Sequence, residues 1–330
     1  MWKPNFRSRA GLIVGVLASL TALAQPVTAQ DFPSRPLRVV VPYPPGSSPD
    51  VVSRLLASHL PQVLGQGAVV ENRPGGGGVA AILDMMRAPA DGYTVLAADM
   101  AHWGIYPAMQ PNAPYDPLRD FAAIGVIFTG MPYFSVRSAS PARELKDLVA
   151  MARAKPGELR YASFGVGSQA HLVVEALAAE VGMKVVHVPY QGGVPALESL
   201  LRGDVDFSVL ALGHVTPHVK TGALRVLAVV GPARSKAMPG VPTVAEAAGV
   251  PGFNFGAAAG WITRSGAPKA NIDKLSAAMA RVAQIPEFIE KASSFGAEPT
   301  PSTPEQMAEI IRNDVKKMAQ AVKVSGASTQ

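Results

Sequence analysis

An α/β fold built largely on parallel sheets is what this sequence predicts, and three observations predict it. Short, β-branched apolar runs alternate with helical patterns over most of the chain, the arrangement of βαβ units. The runs are continuously apolar instead of alternating, which marks strands covered on both faces. Three Gly/Ser/Pro-rich turns, at residues 43–50, 163–171 and 188–195, each lead from such a run into a helical pattern. A length of 330 residues with 48% apolar content can bury ample core and corresponds to two domains.

From the amino end, the run at 37–42 is the expected first strand, and a helix at 50–64 follows a start signal. Ser48 suits its N-cap, Pro49 its first helical position and Asp50 an early-turn acid. A strand at 68–71, a helix at 79–87 behind four glycines, and strands at 94–97 and 124–128 come next. The pattern then runs as helix 142–154, strand 160–163, helix 168–181, strand 184–188, helix 195–201, strand 206–210, a helical turn at 216–221 and a strand at 224–230. Beyond 268 the character changes: helical patterns at 268–283, 286–295 and 303–324 succeed one another without strands, and are expected to pack back on the first sheet. Thr303 suits the N-cap of the last helix and Pro304 its first position. The Pro/Gly-rich stretches at 111–117 and 238–251 read as connections.

The first thirty residues carry an export signal: Lys3, Arg7 and Arg9 precede an apolar stretch at about 11–24, and Val27-Thr28-Ala29 supplies a cleavage site after Ala29. That stretch is short for a membrane span, and no second one follows. Removing the leader takes away those three cations and no acid, so the formal charge falls from +6 to +3. The remaining basic residues are dispersed, with few aromatics beside them, which argues against nucleic acid as a partner. Zero cysteines exclude disulfides, thiolate metal sites and a Cys nucleophile.

The chemistry sits in the three turns. A Gly-rich strand-to-helix turn leaves the first N–H groups of the helix unpaired, which makes an anion site out of backbone. None of the turns contains Lys or Arg, so charge recognition falls to helix dipoles of roughly half an elementary charge each, and two such ends suit one carboxylate. The first turn offers Tyr43, Gly46, Ser47, Ser48 and Asp50; the carboxylate of Asp50 would repel an anion there and is expected to point aside or to meet a cationic part of a ligand. The second offers Ser163, Gly165, Val166, Gly167 and Ser168, with His171 one turn into the helix. The third offers Tyr190, Gly192 and Gly193. Ordinary helix initiation explains much of each turn alone; the repetition is what points to a ligand cleft.

Enzyme signatures are otherwise missing. The Gly-x-Gly-x-x-Ala match within Arg73-Pro-Gly-Gly-Gly-Gly-Val-Ala80 lacks the supporting acid of a dinucleotide site. The six histidines form no metal-ligand cluster, and His214 with His218 reads as a surface helix turn. A hydrolase remains as a rival, with Ser163 or Ser168 activated by His171, because such sets are recognised by geometry and not by order.

Together, Tyr43-Pro-Pro-Gly…Asp50-Val-Val-Ser-Arg54, Val70-Glu-Asn-Arg-Pro-Gly75, Asp91-Gly-Tyr-Thr94, Tyr115-Asp-Pro-Leu-Arg-Asp-Phe121, Tyr161-Ala-Ser-Phe-Gly-Val-Gly-Ser168 with His171, Val188-Pro-Tyr-Gln-Gly-Gly193 and Pro242-Thr-Val-Ala-Glu246 strongly resemble the Bug/TctC family. These are the extracytoplasmic solute receptors of tripartite tricarboxylate transporters. The resemblance implies a two-lobed, type II-like periplasmic-binding-protein fold that closes on a small organic carboxylate. It implies a monomer in the periplasm, with no cofactor and no metal, that meets membrane permease subunits or, alternatively, a sensor. The implied layout is a leader at 1–29, one lobe at 31–131 plus 254–330, the other at 132–253, and two hinge strands within 124–136 and 253–263. Carried over, the first turn and the Ser/Gly second turn grip the carboxylate.

Two departures bear on the ligand. Ser47 stands where the family commonly has a second glycine, and Leu210 where it often has Asp. The segment holding Asp99, a candidate ligand residue, and Trp103 is also atypical. If Leu210 and Trp103 face the cleft, the distal end of the ligand is apolar or aromatic; the alternative is that both pack in the core.

Overall fold

The computed structural model describes residues 31–110 and 112–326. The expected leader and its cleavage site lie outside the described residues. In order, the elements are β1 (Leu37–Val41), α1 (Ser48–Leu64), β2 (Ala68–Asn72), α2 (Val79–Arg87), β3 (Thr94–Asp99), a π-helical turn (Ala101–Ile105), α3 (Tyr106–Met109), α4 (Pro117–Asp120), β4 (Phe121–Gly130) and β5 (Tyr133–Arg137). They continue as α5 (Leu145–Ala154), β6 (Arg160–Ser163), α6 (Gln169–Val181), β7 (Val186–Pro189), α7 (Gly193–Arg202), β8 (Phe207–Leu210), α8 (Leu212–Lys220) and β9 (Leu224–Val229). The chain ends with α9 (Val244–Ala248), β10 (Ala257–Arg264), α10 (Lys269–Val282), α11 (Pro286–Ser294), β11 (Glu298–Pro299) and α12 (Pro304–Ser325).

Two sheets form, as the α/β pattern requires. The six-stranded sheet runs β11-β4-β10-β3-β1-β2 and the five-stranded sheet β7-β6-β8-β5-β9. They are less parallel than the sequence suggests. β1 pairs in parallel with β2 and β3, and β6 with β7 and β8, but β10 lies antiparallel to β3 and β4, and β5 antiparallel to β8 and β9. The antiparallel members are the segments that carry the chain from one sheet to the other, so they enter each sheet from the opposite side.

The expected crossing strand at 124–136 is two strands. β4 ends in the first sheet at Gly130 and β5 begins in the second at Tyr133, with Met131-Pro132 between them. Pro132 has no N–H to continue a ladder, while its carbonyl accepts from the Val230 N–H at 2.8 Å, tying the outgoing crossing to the end of β9. The return crossing enters β10.

The C-terminal helices divide between two tasks. Leu275, Met279, Val282, Phe288 and Ala292, from α10 and α11, join the core beneath β1 and β4. α12 does not simply cover the first sheet. It packs against β4 and α6, and its Met318, Ala321 and Val322 share one buried cluster with Leu172, Val173 and Leu177 of α6. It is a third connection between the two halves. Its start is the one expected: Thr303 accepts from the Gln306 N–H, and the Gln306 side chain accepts from the Thr303 N–H, a reciprocal cap with Pro304 in the first turn.

The tightest backbone approach within the first sheet is at Gly260 of β10. A Cβ there would strike the Gly125 carbonyl and lie 2.9 Å from both Val126 Cα and Met307 Cε. Gly260→Ala is expected to destabilise by about 1–3 kcal/mol through overpacking, read as a lower urea midpoint with unchanged slope.

Candidate functional site

The first two turns share one device. At the end of β1, Gly46 adopts a left-handed φ of 84°, and its N–H donates to Asp50 Oδ2 at 2.8 Å, four residues on. At the end of β6, Gly167 adopts a φ of 74°, and its N–H donates to His171 Nδ1 at 3.0 Å, also four residues on. Ser47 and Ser168 follow those glycines as N-caps with nearly the same backbone angles. Gly-Ser-x-x-Asp and Gly-Ser-x-x-His are therefore the same turn built twice, a spacing that was present in the sequence and passed over.

This corrects the expected donor inventory. The Gly46, Gly165, Gly167 and Ser168 N–H groups are paired within their own turns, so fewer backbone donors face outward than Gly-rich turns suggest. Ser48 is not the N-cap; it is the first residue of α1, behind Ser47. Asp50 meets protein cations and donors, not open space: it also accepts from Arg54 Nε at 2.9 Å and Asn72 Nδ2 at 2.8 Å, and is 2% exposed. Burial pushes its pKa up, but the Gly46, Asn72 and Arg54 hydrogen bonds hold it below the ordinary carboxylate value.

Beside the first turn, the Tyr43 hydroxyl donates to Asp99 Oδ2 at 2.6 Å, and Asp99 Oδ1 accepts from the Ala101 N–H and lies 2.9 Å from His102 Nδ1. Burial, aided by Asp99, raises the Tyr43 pKa; Asp99 itself, raised by burial, is brought below its ordinary value by His102, Tyr43 and Ala101. The glycine run that sequence reasoning set aside has its part here. Gly77 and Gly78 have positive φ, and Cβ atoms on them would meet the rings of Tyr106 and His102. Only glycine lets those rings approach so closely.

The second turn rests on an aromatic stack in which Tyr161 and His171 are buried and His187 is half-buried. The His171 and His187 rings lie parallel at 4.0 Å, and His187 stacks on Tyr161 at 4.9 Å. Ser163 Oγ lies 2.6 Å from His187 Nε2, accepts from the Gly165 N–H and sits 3.0 Å from the Gly165 carbonyl. An Nε2–H tautomer of His187 donating to Ser163 satisfies all three at once. The rival nucleophile sets are thus redrawn: Ser163 faces His187, not His171, and is 0% exposed, while the Ser168 hydroxyl caps α6 by accepting from the His171 N–H. Ser163 is therefore not presented to a substrate as a nucleophile must be, and the Ser168 hydroxyl is engaged as a helix cap.

The Tyr190 N–H donates to the Ser163 carbonyl at 3.0 Å and so ties the third turn to the second. Gly193 at the start of α7 lies against the ring of His214, whose Cε1 is 2.5 Å from where a Cβ would be. His214 is half-buried, not a surface turn residue. The two halves of the protein meet at these turns: Met109, at the end of α3, fills the place a Gly167 side chain would take.

Leu210 and Trp103 belong to the core. Leu210 is 0% exposed and clusters with Tyr133, Ala162, Ala196 and Val229. Trp103 is buried in the larger cluster, and its indole N–H donates to Asp314 Oδ2 of α12 at 2.9 Å. Burial raises the Asp314 pKa. The expectation of an apolar distal pocket built on these two residues is withdrawn. Two side-chain atoms at the turns, Ser47 Oγ and His214 Nδ1, are buried without a hydrogen-bond partner. Among the described residues no group of three or more His, Asp or Glu could hold a metal ion.

The stacked histidines make stability depend on pH. Burial and the neighbouring His171 lower the His187 pKa from 6.5 to about 4, and burial lowers that of His171. The unfolded chain then takes up these protons first, so stability is full above about pH 6.5 and is lost as pH falls toward about 4. Urea midpoints should decline across that window, and His187→Phe should flatten the decline. A flat profile in the parent would contradict neutral imidazoles in the folded protein.

The chain is similar over most of its length to known proteins. BugT of Bordetella pertussis is 34% identical over 321 residues, spanning 96% of this chain and 97% of BugT. Rpa4515 of R. palustris, solved with adipate, superposes with a TM-score of 0.77 at 30% identity, over 90% of this chain and 99% of that one. MatC from Rhodopseudomonas palustris, solved with bound malate, gives a TM-score of 0.72 at 28% identity, over 88% and 100% of the two chains. The model of the tripartite tricarboxylate transporter family receptor matches residues 52–326, most of the chain, and this protein belongs to that family of periplasmic solute-binding receptors.

Proposed function

We propose that this protein captures a small organic carboxylate between two lobes, residues 31–131 with 254–330 and residues 132–253, and delivers it to the permease subunits of a tripartite tricarboxylate transporter. The observation that carries the reading is that the Gly-rich second turn, at the end of a strand of one sheet, lies against the other half of the protein, where Met109 of α3 abuts Gly167. The start of α1 comes from one sheet and that of α6 from the other, and a carboxylate held between the two turns would draw on both helix dipoles. Neither turn contains a Lys or Arg to hold an anion by charge alone. The Ser47 hydroxyl, buried without a partner, is a donor that a carboxylate would satisfy. Adipate and malate in the related proteins are carboxylates of the same kind.

The ligand site is drawn from Tyr43, Ser47, Ser48, Asp99, Val166, Tyr190 and Gly192, with Asp50, Ser163 and His171 shaping the turns behind them. Val166 stands 54% exposed at the tip of the second turn. Binding is stoichiometric and without turnover, in a monomer exported to the periplasm by residues 1–29. A permease partner is favoured over a sensor by the family's description as a transporter receptor.

A thermal-shift screen of organic acids tests this. A bound acid at a hundred times its dissociation constant should add about 2.7 kcal/mol to stability, the neutral amide of the same acid nothing, and the acid should be recovered unchanged. Stabilisation by no acid at all, or conversion of the acid, would overturn the proposal. Gly167→Val, which drives a side chain into Met109, should leave the chain more extended in small-angle scattering with acid present than the parent under the same conditions.

A further inference from the structure

His214 is the third residue of α8, in a segment whose sequence reads as a surface helix turn. Its ring lies against Gly193 of the third turn and faces Phe164 of the second, ring centroids 6.4 Å apart. Two residues earlier on the same helix, Leu212 approaches Gly296, which leads into β11 of the other sheet, with 3.0 Å between Leu212 Cβ and a Cβ built on Gly296. The ring therefore sits near the seam between the halves, on the wall carrying the second and third turns. Its Nδ1 is buried and makes no hydrogen bond. A buried polar atom without a partner is destabilising, and groups left in that state in native proteins call for an explanation. Burial is the one cause acting on its titration, and it lowers the pKa, so the imidazole is neutral and has no counter-charge of its own.

We infer that His214 recognises the second acidic group of a dicarboxylate whose first carboxylate is held by the Gly-Ser turns. The inference rests on the carboxylate-capture reading and adds a ligand class to it. A carboxylate reaching the ring supplies the partner Nδ1 lacks and the negative charge that favours the protonated imidazole, giving a charge-assisted hydrogen bond. A ligand with a methyl group at that end leaves Nδ1 as it is. With Leu210 and Trp103 turned into the core, His214 is a group near this wall able to distinguish the two.

Calorimetric titration of the full chain with adipate and hexanoate, which have equal carbon counts and differ only in the second carboxylate, tests this. The parent should bind adipate about ten- to a hundredfold more tightly. His214→Phe, which keeps a ring against Gly193, should bring that ratio close to one, and His214→Gln, a neutral donor, should leave an intermediate ratio. A ratio unchanged in both variants, or a parent that prefers hexanoate or 2-hydroxyhexanoate, overturns the role of His214 and leaves carboxylate capture standing. If neither these acids nor any member of the wider acid screen binds the parent, the capture reading falls, and this inference with it. Should His214→Phe fail to fold, the ratio in His214→Gln decides.

Discussion

A glycine N–H turned back onto a side chain four residues later is the interaction on which both halves of this protein depend. At Gly46 the acceptor is a carboxylate and at Gly167 an imidazole, yet the backbone follows the same path. A positive φ at the glycine lets the strand end fold over the start of the helix, and the side-chain acceptor fixes it there. Everything nearby is organised by that fixation. Asn72 and Arg54 converge on Asp50 because its carboxylate is already placed, and the His171 ring is held flat for His187 to stack upon. The turns are rigid before any ligand arrives, so less ordering entropy is lost on binding. What is given up is donors: an N–H that shapes a turn is not free to hold an anion.

Much of this was legible from the sequence, for physical reasons. Helices with caps or terminal glycines were read almost residue by residue: 79–87 is α2, and Thr303 and Pro304 start α12. Continuous apolar runs located β1, β3 and β8, because strands buried on both faces leave that signature whatever their neighbours. Strand direction was not legible. Whether β10 runs with or against β3 depends on which sheet the chain has just left. The division between β4 and β5 was also hidden, since only the missing N–H of Pro132 marks it.

The site was legible in its turns and illegible in its contacts. Tyr43, Ser163 and Gly167 lie where the turns were expected, but that Ser163 answers to His187 and Tyr43 to Asp99 is decided by tertiary neighbours 24 and 56 residues away. Trp103 and Leu210 looked like departures that would face a ligand. A large apolar residue fits a cleft wall and a core equally well on paper, and α12 and β5 settle the matter. His214 reads in the sequence as part of a surface turn, because a histidine followed by proline and a second histidine resembles a solvated segment. Its significance lies in the glycine it touches, which no local pattern reveals.

α12 changes how a protein of this kind can open. Two strand crossings alone would leave the halves tied only by extended chain, but a 22-residue helix, anchored at Trp103 and buried again against α6, adds a further tie between them. Turning the halves apart must slide Met318, Ala321 and Val322 along the face of α6 or carry α6 with them. Packed helices slide only as far as their side chains can change rotamer, and methionine is the most adaptable of those three. Any opening of the two proposed lobes would thus be limited by how far these side chains can repack, with Met318 lodged between Gly104 and α6.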